Sequence, residues 1–271
     1  MANWIFVTIA CCLVSGLLAQ TDYCKTTYCR PGLTNVGCNP PPASGGASCT
    51  GKSPAVVVMD SNLQNLILSE HNTRRSQLAL GQLAPCASCT PFLPATRMPT
   101  LTWDAALAKQ AGNNARSCVY GHDKCRNTAV YAWAGQNIAL SKFYGMTRTT
   151  SQLIMEAING WWKEYSDTKQ SQLNSYPSGY TGPAIGHFTQ MASDQTARIG
   201  CAMQYWLDGK FNTYYFVCDY AVTNVVGTAV YKTGKATFGC TTGPNPMESL
   251  SGLCSPAEKI MPVYNYSNAL Q

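Results

Sequence analysis

Apolar residues recur at steps of three and four in three stretches of the chain. The clearest is TSQLIMEAINGWWKEYS, residues 150–166, where Ile154, Ala157, Ile158, Trp161, Trp162 and Tyr165 form one stripe. At about 100° per residue, Glu164 falls at the border of that stripe and Glu156 on the opposite, solvent-facing side. One carboxylate is therefore aimed toward the interior or a cleft edge. The alternative is a border glutamate that snorkels to water, the commoner outcome for such a position. A second helix is expected from the Asp60-Ser61 cap through NLQNLILSEHNTRRSQLAL, stopping at Gly81. A third is suggested by TWDAALAKQAGNNARSC, where Trp103, Leu107, Ala111 and Cys118 share helical spacing. Near the end, ARIGCAMQYWL and KFNTYYFVCDYAV flank Asp208-Gly209, a strong turn signal, and predict a β-hairpin with Cys201 and Cys218 placed to bridge it.

The remaining segments lack this periodicity. Residues 4–19, WIFVTIACCLVSGLLA, are apolar and uncharged, too short for a comfortable span, and read as a signal peptide ending at Ala19; an uncleaved anchor is the alternative. Residues 20–59 hold four cysteines, Pro40 to Pro42 and a Gly/Ser-rich stretch, and are expected to be loops tied by disulfides. GQLAPCASCTPFLPATRMP, residues 81–99, is a Pro-rich excursion that Cys86 and Cys89 can staple. Residues 232–271 read as an extension held by a disulfide, with Asn265-Tyr266-Ser267 as a glycosylation sequon. That leaves residues 60–231 as the folded domain. Helices interspersed with strands and a late hairpin point to an α+β fold or a three-layer α/β/α domain.

Of 14 cysteines, Cys11 and Cys12 leave with the signal segment, and the even remainder behind a signal peptide implies disulfides made in an oxidising compartment. The protein is expected to be secreted and extracellular. Its 19 basic and 13 acidic side chains give a net charge of +6 without a run of Lys or Arg, so nucleic-acid and membrane binding are not expected. Solubility suffices to explain the charge.

The chain has no Gly-x-Ser-x-Gly elbow, His-Glu-x-x-His helix or Gly-x-Gly-x-x-Gly fingerprint, which removes the usual foothold for serine-triad hydrolysis and dinucleotide chemistry. Candidate chemistry reduces to the histidines. His71 lies within an expected helix, where a lone histidine is usually packed or hydrogen-bonded. His122, in CVYGHDKC, is bracketed by Cys118 and Cys125, and His187 opens GHFTQMASDQTARIGCA. With Glu164, the last two would make a metal or acid/base cleft if the fold brings them together.

CVYGHDKC, AGQNIAL, GWWKEY, IGHFTQMASDQTARIGCA and YYFVCDY occur in an order and spacing that resembles the CAP superfamily of cysteine-rich secretory, antigen 5 and pathogenesis-related proteins. DYCKTTYCRPGLTNVGC together with GHDKC is similar to the insect antigen 5 (venom allergen 5) branch, and the tail with Cys240 and Cys254 resembles an extension of fly antigen 5-related proteins. The resemblance covers about residues 22–231 and implies a three-layer α-β-α sandwich with a cleft lined by two histidines and two acids. Carried over, these fall on His122, His187 and Glu164, while the second acid position, in a Gly-Glu-Asn motif, is Gln136 here. Ser193, Asp219, Ala221 and Val222 are further departures. The family pattern also implies the bonds Cys24–Cys38, Cys29–Cys125 and Cys49–Cys118, which leaves Cys86 with Cys89 and Cys240 with Cys254.

An amide at 136 supplies neither base nor negative charge. Two imidazoles fall short of the three protein ligands usual at catalytic zinc, so the pair would hold Zn²⁺ or Cu²⁺ weakly, and no cofactor is required. A hydrolase would need Glu164 as base on a bound water, and no nucleophile is evident. The first expectation is thus a monomeric, non-enzymatic secreted protein that binds a lipid, small mediator or protein partner. A metal-dependent hydrolytic or redox enzyme centred on His122, Glu164 and His187, and a structural extracellular protein, are the alternatives.

Overall fold

The computed structural model describes residues 21–260; the signal segment expected over 1–19 and the Asn265 sequon lie outside them. Five strands make one sheet: β1 (Ala55–Val57), β2 (Thr102–Trp103), β3 (Gly135–Phe143), β4 (Arg198–Asp208) and β5 (Phe211–Tyr220). Their order is β1-β4-β5-β3, with β2 pairing in parallel to β4. The β4–β5 hairpin closes at Asp208 opposite Phe211, and Gly209 takes the positive φ of 62° that so short a turn demands.

Five α-helices flank the sheet: α1 (Ser61–Ala79), α2 (Ala105–Ala115), α3 (Thr150–Lys163), α4 (Gln170–Asn174) and α5 (Gly186–Ala192). Asp60 caps α1 by accepting from the Leu63 amide, and Thr149 with Gln152 forms a capping box on α3. The helical spacing of Trp103 and Cys118 proves misleading. Asp104 caps α2 by accepting from the amides of Ala106 and Leu107, so Trp103 belongs to β2 and Cys118 lies beyond the last turn.

On one face α2 packs on β4 and β5, and Ala111, Ala115, Trp206, Tyr215 and Val217 share the core between them. The approach is close: a side chain at Gly200 would run into the backbone of Ala108. On the other face α1, α3 and α5 contact one another, burying Ile67, Ile154, Ile158, Phe188, Met203 and Phe216 in a larger core. The result is a three-layer α-β-α sandwich of α+β class. Each fully buried side chain of this size contributes about 1.5–3 kcal/mol to holding the layers together.

Six disulfides brace the sandwich: Cys24–Cys38, Cys29–Cys125, Cys49–Cys118, Cys86–Cys89, Cys201–Cys218 and Cys240–Cys254. Segment 232–260 is held by more than its disulfide. Leu253 and Cys254 are fully buried, the Cys254 amide donates to the Met98 carbonyl, and the Glu258 carboxylate bonds Arg97, Thr241 and Thr242. Those donors outweigh the opposing effect of burial and hold Glu258 at a pKa of about 2. Among the described residues no helix is long and apolar enough to cross a membrane.

Candidate functional site

Two elements deliver the two histidines to one depression. His187 stands in the first turn of α5, and His122 in the loop after α2, pinned at both ends by Cys49–Cys118 and Cys29–Cys125. Between them opens a cleft of about 400 Å³, whose lining includes His122, Arg126, Gln136, Asn137, Tyr176 and His187.

Glu164 lies behind His187, outside that lining, with its side chain only 13% exposed. Its Oε1 meets His187 Nδ1 at 2.6 Å, while Oε2 accepts from the backbone amides of His187 and Phe188 at 2.8 and 3.1 Å. Both oxygens are thus spent on the start of α5. The expectation of a border carboxylate turned inward is met in position, and the group orients a histidine, with three of its bonds made to the start of α5. Trp161 stacks on the same imidazole at 6.1 Å between centroids and anchors its own Nε1 on the Ile138 carbonyl. With Nδ1–H donating to the carboxylate, Nε2 of His187 is the nitrogen left for a ligand.

His122 is oriented by an amide. Gln136 Nε2 donates to Asp123 Oδ2 at 2.7 Å and to Asp219 Oδ1 at 2.9 Å, which turns Oε1 toward His122 Nδ1 at 2.8 Å. An amide oxygen only accepts, so the proton sits on Nδ1 and Nε2 again remains for a ligand. Partial loss of water lowers the pKa of His122 below its ordinary value; the charges of Arg126 and His187 add to this, against Gln136 and Asp123. Arg126 also pairs with Asp123 at 3.0 Å.

Two acids of this network, Asp123 and Asp219, were not assigned to the cleft from sequence. Asp219 is fully buried, and its Oδ2 has no hydrogen-bond partner among the described residues. Burial first, and the charge of Asp123 second, raise its carboxyl well above the usual range. The available signal was an acid inside the apolar strand run YYFVCDY. His71 is elsewhere: buried, it sits between the Ile67 carbonyl and the Tyr220 hydroxyl at 2.8 and 2.9 Å. Tyr220 and the His187 carbonyl both accept from Asn137 Nδ2, so His71 supports the cleft from below.

The sequence profile of the cysteine-rich secretory protein family, CAP, matches residues 68–220. The chain belongs to that family. Within it the chain is antigen 5-like: it is 40% identical over 255 residues to venom allergen-1 of Aedes aegypti, covering 94% of each chain. It is also 32% identical over 215 residues to venom allergen 5 of Dolichovespula arenaria, covering 78% of this chain and 98% of that one. Among solved structures, NaASP2 with Zn²⁺ superposes at a TM-score of 0.60 with 27% identity, over 72% of this chain and 96% of that one. In this CAP protein, no three His, Cys, Asp or Glu side chains among the described residues are grouped to hold an ion. Its donor set for a metal is two imidazole nitrogens, since the oxygens of Glu164 and Gln136 are already engaged. This set does not fit a resident catalytic metal.

Proposed function

We propose that this CAP protein is a secreted, non-enzymatic binding module whose cleft takes a small extracellular ligand. The observation that carries the reading is the internal engagement of every charged group around the two imidazoles. Glu164 is bound to α5 and Asp123 to Arg126 and Gln136, which leaves the Nε2 atoms of two histidines facing an open cleft. Such a surface suits recognition of a donor-bearing molecule. A lipid, a small mediator or a protein partner remain the candidates. The division into a signal peptide over 1–19, loops over 20–59, a CAP domain over 60–231 and an extension over 232–271 belongs to the same proposal. So do a monomeric state and a glycan on Asn265.

A Zn²⁺ or Cu²⁺ ion would rest on His122 and His187 as a weak guest. Native mass spectrometry with metal analysis, on secreted protein purified without chelators, tests the reading. The expected result is substoichiometric metal, with Zn²⁺ binding by calorimetry weakened in both His122→Ala and His187→Ala. A stoichiometric metal and a hydrolytic or redox turnover, both lost in His187→Ala, would replace the binding module with an enzyme.

A further inference from the structure

Four cations that lie far apart in sequence converge on one side of the molecule. Arg30 and Lys124 line a cavity of about 220 Å³, and Arg198 and Lys259 line a larger one of about 790 Å³. The two cavities share Ala132 and Trp133, so they form one groove that passes the indole. All four side chains belong to exposed residues, and none takes part in an ion pair among the described residues.

The fold holds these like charges together. Arg30 follows Cys29 and Lys124 precedes Cys125, so the Cys29–Cys125 disulfide sets the two cations side by side, with the Arg30 guanidinium 4.7 Å over the Trp133 ring. Lys259 follows Glu258, whose carboxylate is clamped by Arg97, Thr241 and Thr242. Of the nearby acids, Asp123 pairs with Arg126 and Glu258 with Arg97, while Asp104 is directed to the α2 cap and the Tyr131 hydroxyl and makes no ion pair with the four cations. Like charges fixed without counter-ions repel one another, and an anion laid along them relieves that cost.

We infer that this groove binds a linear sulfated polysaccharide. A chain ligand meets cations spaced over two adjoining cavities, which a single small anion cannot span. Arg30, Arg198 and the lysines are suited to sulfate oxygens, and Tyr131 and Trp133 offer flat apolar walls for the sugar rings. Six disulfides place the protein in an oxidising compartment, where the abundant linear polyanion is sulfated carbohydrate and not nucleic acid. The inference stands apart from the ligand of the histidine cleft.

The test is calorimetry of a heparin hexasaccharide with full-length secreted protein at about 0.15 M salt, where exposed charges more than about 8 Å apart are largely screened. The groove variant carries Arg30→Ala, Lys124→Ala, Arg198→Ala and Lys259→Ala. A charge-matched control carries Lys109→Ala, Lys163→Ala, Lys169→Ala and Lys210→Ala, none of which lines the groove. The groove variant is expected to weaken binding by about tenfold or more, equivalent to about 1.4 kcal/mol, while the control changes it by less than about twofold. Equal losses in the two variants would reduce the effect to net charge and overturn the site, as would absence of binding to the unaltered protein. Equal affinity for a DNA duplex of matched charge would overturn the assignment to polysaccharide. Native near-ultraviolet dichroism in both variants excludes misfolding as the cause, and wild-type-like cleft behaviour keeps this test separate from the proposed function.

Discussion

Gln136 on β3 and Asp219 on β5 are register partners, and the amide of the first donates to the carboxyl of the second across 2.9 Å. The acid expected at 136 by family resemblance is therefore not simply lost from this region: a carboxyl stands on the neighbouring strand, buried and turned away from the open cleft. Its charge state follows from that placement. Burial favours the protonated form in the folded chain, whereas the unfolded chain ionises near the ordinary aspartate value of about 3.9. Stability is therefore lost as pH rises above that value toward the raised folded pKa. Asp219→Asn keeps an acceptor for Gln136 and removes the penalty. Its melting temperature relative to wild type is expected to move in the variant's favour between pH 4 and pH 7, read by thermal unfolding at each pH.

His71 shifts in the opposite direction of proton affinity for the same leading reason, since burial favours the neutral form of each group. Burial, aided by Arg75 and Arg74 against the bond to the Ile67 carbonyl, lowers its pKa to about 3. The unfolded histidine titrates near 6.5, so the contribution of the neutral ring is complete above that pH and declines as pH falls toward 3. His71→Gln removes this term. The stability gap between wild type and variant, measured by urea unfolding, is expected to narrow progressively on acidification below about pH 6.5. A constant gap from pH 7 to pH 4 would show that His71 is not the buried neutral base described.

Glu164 joins α3 to α5 through three hydrogen bonds. Glu164→Ala leaves two amide donors at the start of a seven-residue helix without their acceptor. A loss of about 1–3 kcal/mol is expected in denaturant unfolding, the usual range for orphaned buried groups. Zn²⁺ affinity should fall as well, because His187 loses the partner that fixes its tautomer.

Gly200 is where α2 rides on β4, and the obstruction to a side chain there is the backbone of Asp104 and Ala108. Gly200→Ala is expected to cost about 3 kcal/mol, the upper end for overpacking, since backbone cannot rotate aside. The check is a chemical denaturation midpoint alongside Gly121→Ala, which meets open space.

The α3 stripe, the Asp60 cap and the hairpin turn were legible because each is a local pattern with a strong period or a specific cap. Strand β3 was not, since its first buried residues include Gln136 and Asn137, polar side chains serving the cleft that break the apolar alternation. Strands β1 and β2, with three and two residues, are too short to carry any period. At the site, Glu164 could be named from its place at the border of the α3 stripe and His122 and His187 from their local motifs, and the family resemblance placed the three in one cleft. Asp123 and Asp219 needed the cross-strand register, which no single-chain periodicity contains. The converging cations show the same gap: without a run of Lys or Arg, only disulfides and loop packing reveal their proximity.

His122 lies between two half-cystines whose partners are 69 and 96 residues from them in the chain. The wall that carries it is thus fastened to the N-terminal loops by sulfur at both ends, with hydrogen bonds such as that from the Val36 amide to the Cys125 carbonyl beside it, while the wall that carries His187 is fastened by a helix and a carboxylate. The position of one cleft histidine is thereby tied to covalent bonds that span much of the chain, whereas the position of the other is set within the folded core.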